Sequence, residues 1–363
     1  MPSYVASRLG GIGISPIFRF TNLSMDSVVS LCRIVFTSLQ FSDFFSFRNS
    51  AVSDSRNGRF RPLHSVMRQD FRTGKAVGAE NAENKVAGTG AMSYDRDVGH
   101  TYLNEVIEMK VAAQLYTLRD FLKTPEDIAG SLKKVKEIGY NAVQVSGLGP
   151  IGDKELKEIA DREGLTICAT HISYADLKNN LDAVIEKHKL WGCKYVGLGG
   201  MPGEYRTSAK GFADFAKEAS EIGRKLKEAG LKFIYHNHNF EYAKFDGKCG
   251  MDILLEESDP ETVDFELDVY WVQAGGADPI EWIRKVKGRM KVVHLKDMVV
   301  TVDREQRFAE IGEGNMNFPG ILAACREIGV EWAPVEQDRC YDRNPFDSLA
   351  ISLKNLQKLG AEF

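Results

Sequence analysis

From Met109 to the C-terminus, apolar and polar positions follow two alternating patterns. Short apolar runs begin near Val111, Ala142, Leu165, Tyr195, Leu231, Val263, Met290 and Glu331. Between them, over 124–138, 151–163, 177–191, 208–229, 279–286 and 318–328, apolar residues recur at helical spacing. The first pattern predicts strands, the second amphipathic helices. Thr124-Pro125-Glu126-Asp127 reads as a helix start, with a capping hydroxyl, a proline in the first turn and acids at the positive end of the dipole. Gly139, Gly164, Gly230 and Gly329 each fall between a helix and the next strand, where a left-handed cap is needed. Eight β-α units in about 250 residues predict a closed eight-stranded (β/α)8 barrel, an α/β fold. An open doubly wound sheet would carry a Gly-rich loop after its first strand. Gln114-Leu115-Tyr116-Thr117 is no such loop.

Strand alternation sorts the side chains of the later strands. Phe265, Leu267 and Val269 fall on one face, Glu266 and Asp268 on the other. Val293 and Leu295 oppose Val292, His294 and Lys296; Ala333 and Val335 oppose Glu336; His236 and His238 share a face with Ile234. The apolar face predicts packing under helices, and the polar one predicts side chains directed into the barrel near its C-terminal mouth. Gln114, Gln144 and His171 join them by the same rule. Inward carboxylates are costly without partners, so Glu266, Asp268 and Glu336 require a cation or hydrogen-bond donors. An ion-pair cluster, with Arg284, Lys296 or Arg339 as the cation, is one answer. A metal ion is the other, and inward ionised groups concentrate at functional sites. Two imidazoles with two carboxylates suit Mn²⁺, Co²⁺, Fe²⁺ or Zn²⁺ better than an all-oxygen Ca²⁺ site. Such an ion polarises a carbonyl and stabilises the enediolate formed when a base removes an α-proton. His188, within a charged helix, reads as a surface residue.

The first 108 residues differ from the rest. They are rich in Ser, Arg, Gly and Phe, and no lysine precedes Lys75. Three readings fit: an organelle transit peptide, because the first 25 residues bear Arg and Ser but no acid; a disordered extension; or sequence upstream of a true start at Met109 or Met92. The last is favoured, because Met109-Lys110-Val111 opens a strand directly. The domain boundary is therefore set between an extension, 1–108, and a barrel, 109–363.

Charge and cysteine content exclude several classes. A net charge of −4 gives no reason to expect nucleic acid or an anionic membrane as partner. The six cysteines form no C-x-x-C pair, which argues against a zinc module or disulfide framework and fits a reducing, cytoplasmic setting. No apolar run is long enough to span a bilayer.

Residues 109–363 resemble the sugar phosphate isomerase/epimerase group of xylose isomerase-like TIM barrels, which includes ketose 3-epimerases, inosose isomerase and inosose dehydratase. The resemblance rests on Tyr235-His236-Asn237-His238-Asn239-Phe240-Glu241, on the run from Asp268 through Trp271 and Ala274-Gly275-Gly276 to Asp278-Pro279, on His294-Leu295-Lys296-Asp297, on Ile311-Gly312-Glu313-Gly314 and on Val335-Glu336-Gln337-Asp338. It implies one divalent ion, with Mn²⁺ first and Co²⁺, Zn²⁺, Fe²⁺ or Mg²⁺ as alternatives, held by His236, Asp268, His294 and Glu336. It implies proton transfer by Glu336 with Glu241 or Lys296, and a small-molecule carbohydrate contacted by Gln114, Gln144, His171, His238 and Trp271. Ketose 3-epimerases carry a glutamate where this chain has His236, so a two-glutamate epimerisation is in question and His171 is a further candidate for the second proton. The His-rich fifth strand and Glu336-Gln337-Asp338 are similar to inosose dehydratases, which keeps elimination of water as the alternative. A non-catalytic sugar-binding barrel would keep the same site. The distant nuclease relative, endonuclease IV, needs three metals and more ligands than this chain offers. Barrels of the group are often dimers or tetramers, which leaves a homo-oligomer open.

Overall fold

The computed structural model describes residues 109–361 and, of the preceding chain, two three-residue strands, Ala51–Ser53 and Phe60–Pro62, paired antiparallel. The expectations for 1–108 otherwise lie outside the described residues. Eight parallel strands close a barrel: β1 (Lys110–Gln114), β2 (Ala142–Val145), β3 (Thr166–His171), β4 (Tyr195–Leu198), β5 (Lys232–His236), β6 (Val263–Asp268), β7 (Val292–His294) and β8 (Trp332–Val335). β8 pairs with β1 in register from Trp332 opposite Lys110 to Val335 opposite Ala113, which seals the sheet without an edge. The principal helices around it are α1 (Pro125–Ile138), α2 (Asp153–Arg162), α3 (Leu181–Trp191), α4 (Ala209–Glu228), α5 (Gly250–Glu257), α6 (Pro279–Lys285), α7 (Phe318–Ile328) and α8 (Pro345–Lys358).

The expected start of α1 is present as a reciprocal capping box: Asp127 N–H donates to Thr124 Oγ1 and Thr124 N–H to Asp127 Oδ2, each at 3.2 Å. Gly139 ends the helix at φ +119, a conformation that a side chain would strain. The stretch predicted as one helix over 177–191 is two, Tyr174–Asn179 and α3, broken at Asn180. Asn180 Nδ2 donates to Asp176 Oδ1 at 3.0 Å, the kind of local bond by which Asn competes with helical backbone. A hairpin, Asp297–Val300 with Gln306–Ala309, follows β7 where no separate element was expected. Its turn holds Arg304 at φ +67.

The apolar outward faces of the strands meet the helices in one large core, as the alternation predicts. A smaller core fills the barrel floor, from Ala112, Ala142, Cys168, Ala169, Tyr195, Ile234 and Val292. His188 corrects its expectation. It is fully buried on the inner side of α3, where Nδ1 meets the Val184 carbonyl at 2.6 Å and Nε2 meets Thr170 Oγ1 at 2.8 Å. Burial pushes its pKa down to about 4. Helix charge described its neighbours, not the face on which it lies.

Candidate metal centre at the barrel mouth

Strands β5, β6 and β7 end at His236, Asp268 and His294, and Glu336 follows β8 directly. Register puts Glu266 beside His236 and Asp268 beside His294. All four strand-end side chains are buried, and one ligand-type atom from each lies within 4.8 Å of the others. Asp268 is oriented by its own strand end. Its Oδ1 accepts the Trp271 N–H at 3.1 Å, capping the short helix Val269–Ala274, and its backbone N–H donates to Asn237 Oδ1 at 3.0 Å. That leaves Oδ2 for the cluster, 3.3 Å from His236 Nε2.

Lys296 supplies positive charge here. Its Nζ lies 2.8 Å from Asp268 Oδ2, 2.8 Å from Glu336 Oε2 and 3.1 Å from Asp338 Oδ2. Burial would lower its pKa, but these carboxylates hold it well above the ordinary value. Burial likewise opposes ionisation of Glu336, and Lys296 and His294 outweigh it, keeping the carboxyl well below its usual range. Arg284 pairs instead with Glu327, and Arg339 is exposed.

His294 faces two ways. Nδ1 lies 3.0 Å from Glu336 Oε2, while Nε2 lies 2.6 Å from Gln144 Oε1 and 3.2 Å from Glu266 Oε1. Burial disfavours its charged form, but Glu266 and Glu336 prevail and push it up to about 10. His236 is the opposite case. Burial and the neighbouring His294 hold it well below the ordinary histidine value, so it is a neutral imidazole with Nδ1 unpartnered. An imidazole whose Nε2 meets Asp268, converging carboxylates and a second histidine form a donor set that fits a first-row divalent ion. Among the described residues, His171, Glu266 and His294 form the other group with such spacing.

The remaining expected residues take distinct places. Gln144 and His171 join through Glu266: Gln144 Nε2 donates to Oε1 at 2.8 Å, and His171 Nε2 lies 2.7 Å from Oε2. Gln114 is buried at the end of β1 and caps the 3-10 helix Leu115–Phe121 that follows, accepting the Tyr116 N–H at 3.0 Å. Half-buried Trp271 and buried Tyr270 meet Phe308 of the hairpin, and the Lys296 ammonium lies 5.5 Å from the Trp271 ring centre. His238 lies between Phe240 and Trp271, and burial lowers its pKa to about 4. Glu241 is not drawn to the cluster by any hydrogen bond. It accepts from the Tyr235 hydroxyl at 2.7 Å and the His238 N–H at 2.9 Å, and Tyr235 packs outward against Phe215 of α4. Burial pushes Glu241 up to about 7.

Two residues quoted within the motifs have no role assigned from sequence. Asp338, two positions after Glu336, completes the carboxylates around Lys296. Asp297 accepts backbone N–H groups from Met298, Gly312, Gly314 and Met316, tying the segment after the hairpin to β7. The Gly-x-Gly spacing at Gly312 and Gly314 was the available signal. A Cβ at Gly314 would stand 2.3 Å from Asp297 Oδ1.

Comparison with known proteins agrees with the barrel fold. The inosose dehydratase of Clostridium tetani (strain Massachusetts / E88) is 29% identical over 164 residues, spanning 41% of this chain and 54% of that protein. The inosose dehydratase of Lacticaseibacillus casei (strain BL23) is 22% identical over 287 residues, 68% of this chain and 93% of that protein. A solved sugar phosphate isomerase/epimerase from Parabacteroides distasonis ATCC 8503 is 26% identical, with a TM-score of 0.59, covering 69% of this chain and 98% of its own. The model of the Xylose isomerase-like TIM barrel family matches residues 132–359, running from ahead of β2 past β8 and through all four cluster residues, and the chain belongs to that family.

Proposed function

We propose that this chain is a divalent-metal-dependent carbohydrate isomerase or epimerase, acting through an enediolate on a keto-sugar, a sugar phosphate or an inosose. The convergence of His236, Asp268, His294 and Glu336 carries this reading. These four would hold the ion, and the bound ion would supply Lewis-acid polarisation of the substrate carbonyl. Glu336, ionised beside Lys296, is the base that takes the proton from the carbon next to that carbonyl. Lys296 donates to the oxygen on which negative charge develops. His171 is the group for returning the proton, because Glu241 is taken up by Tyr235 and the backbone of His238. Trp271 and His238 offer an aromatic wall to a sugar face, and Gln114 offers the unpartnered NH₂ of its amide, whereas the amide of Gln144 is taken up by Glu266 and His294. A cytoplasmic setting is part of the proposal. The cysteines among the described residues are all free, and no described helix is long and apolar enough to cross a membrane.

The second reading is elimination of water from an inosose or related keto-polyol. One observation favours it, the relatives named inosose dehydratase, and the resemblance adds that His236 stands where ketose 3-epimerases carry glutamate. Both begin with the same proton removal and differ in whether a β-hydroxyl departs. The test is incubation of the full chain with Mn²⁺ in D₂O beside an EDTA-treated control, on a panel of ketoses, their phosphates and inososes, read by mass spectrometry. Deuterium at an α-carbon of an otherwise unchanged mass, lost with EDTA, is the expected result. Loss of one water from the product would establish the lyase. Exchange that survives EDTA would sink the metal-dependent mechanism.

A further inference from the structure

Glu266 lies in the barrel interior two residues before Asp268, fully buried, and has no part in the ligand set above. Its two oxygens are nonetheless fully engaged. Oε2 lies 2.7 Å from His171 Nε2, and Oε1 lies 2.8 Å from Gln144 Nε2 and 3.2 Å from His294 Nε2. The network closes in one sense only. An ionised carboxylate accepts and cannot donate, so Gln144 presents its NH₂ to Glu266 and its carbonyl oxygen to His294. His294 Nε2 then faces two acceptors, the amide oxygen at 2.6 Å and the carboxylate at 3.2 Å, and must carry a proton. His171 Nε2 must carry one for the same reason. Each ring is left with Nδ1 for other use. In His294 that atom faces Glu336 and Asp268, at 3.0 and 3.9 Å. In His171 it faces the loop after β4 so closely that a Cβ at Gly199 would stand 3.0 Å from it.

We propose that Glu266, clamped by Gln144, is the positioning residue of this centre: it fixes the tautomer of two imidazoles at once, turning His294 Nδ1 to the ligand cluster and His171 Nδ1 to the barrel mouth. The inference rests on the metal-centre reading for His294 and stands on geometry alone for His171. Reversing either ring would set a lone pair against a buried carboxylate and forfeit a charge-assisted hydrogen bond. Partners of this kind orient metal-bound imidazoles, and losing one weakens metal affinity by about 10- to 100-fold.

The test uses the full chain labelled with ¹⁵N-histidine. Long-range ¹H–¹⁵N spectra of the Zn²⁺-loaded protein, assigned with His171→Asn and His294→Ala, report which ring nitrogen carries hydrogen. The expected result is Nε2–H for both rings, with His171 unchanged when Zn²⁺ is removed. In Glu266→Gln, Mn²⁺ affinity measured by EPR falls about 10- to 100-fold and the His171 tautomer becomes mixed. An Nδ1–H form of His171 in the unsubstituted protein would overturn the proposal, with no variant needed. So would a Glu266→Gln protein that binds Mn²⁺ as tightly as the parent with both tautomers intact. Failure of the parent to bind any ion would overturn the metal reading instead, while the His171 spectrum would still decide the role of Glu266.

Discussion

The barrel interior holds two layers on the same strands, and they could hardly differ more. Ala112, Ala142, Ile234 and Val292 line the floor; two residues further along the same four strands come Gln114, Gln144, His236 and His294. All eight are buried, none more than 3% exposed. One pleat, about 7 Å of rise, separates them. The floor is satisfied by close packing, needs no specific partner and would serve any barrel. The mouth layer is satisfied only if each donor meets an acceptor and each carboxylate a cation. Burial therefore does not distinguish structure from chemistry in this molecule. Dependence on a partner does, and partner dependence is what substitutions can test.

The largest effect is expected at His294, which serves both the ligand cluster and the Glu266 network. His294→Ala should lower Mn²⁺ affinity by more than about 100-fold, beyond the loss of an outer partner alone, and abolish deuterium exchange, while far-UV circular dichroism stays that of the parent. Metal-free activity in that variant would remove the basis of the proposed function. Lys296 comes next. Lys296→Met leaves Asp268 and Glu336 without their ammonium, and removing one partner of a buried pair costs about 3–5 kcal/mol. If the site is a metal centre, Mn²⁺ should raise the melting temperature of this variant more than that of the parent, because the ion supplies the missing charge. No rescue would point to a structural ion-pair cluster instead.

The difference between the layers also explains what could be read before the structure. Strand alternation put His236, Asp268, His294 and Glu336 on inward faces, because a two-residue period is a property of local backbone. It also placed Gln144 and His171 there. Alternation is silent about partners. Nothing in the spacing says that Gln144 reaches across the barrel to His294 and Glu266, or that Glu241, only five residues from His236, turns its carboxylate to Tyr235 on the opposite side of the strand. His188 failed for a related reason. Its helix is charged on average, but its own position faces Thr170 of β3, and only packing decides which face turns inward. The hairpin after β7 was hidden because its strands pair with each other instead of extending the barrel.

A floor substitution should show the reverse profile of His294. Ile234→Ala, one pleat below His236, leaves a cavity among Ala142, Tyr195 and Val292, and such changes cost about 2–5 kcal/mol. Urea unfolding should register that loss while EPR finds Mn²⁺ affinity within twofold of the parent. A tenfold drop in affinity would mean that the two layers are mechanically coupled and that the comparison overstates their independence.

The smallest effect separates partner dependence from the mouth altogether. His188 and Thr170 form a buried polar pair under α3, outside the barrel, with His188 held neutral by burial and its pKa lowered to about 4. In the unfolded chain the ordinary histidine value is about 6.5. Between those values the unfolded state binds more protons, so the stability contributed by neutral His188 is present above about pH 6.5 and is lost as pH falls toward 4. At pH 5.0 the loss is about 2 kcal/mol relative to pH 7.5. His188→Asn, which does not titrate, should be less stable than the parent at pH 7.5 but lose about 2 kcal/mol less on acidification, by urea unfolding at the two pH values. Equal losses in both proteins would show that His188 accepts a proton without unfolding its surroundings, and that this pair, unlike the mouth layer, tolerates a change of partner.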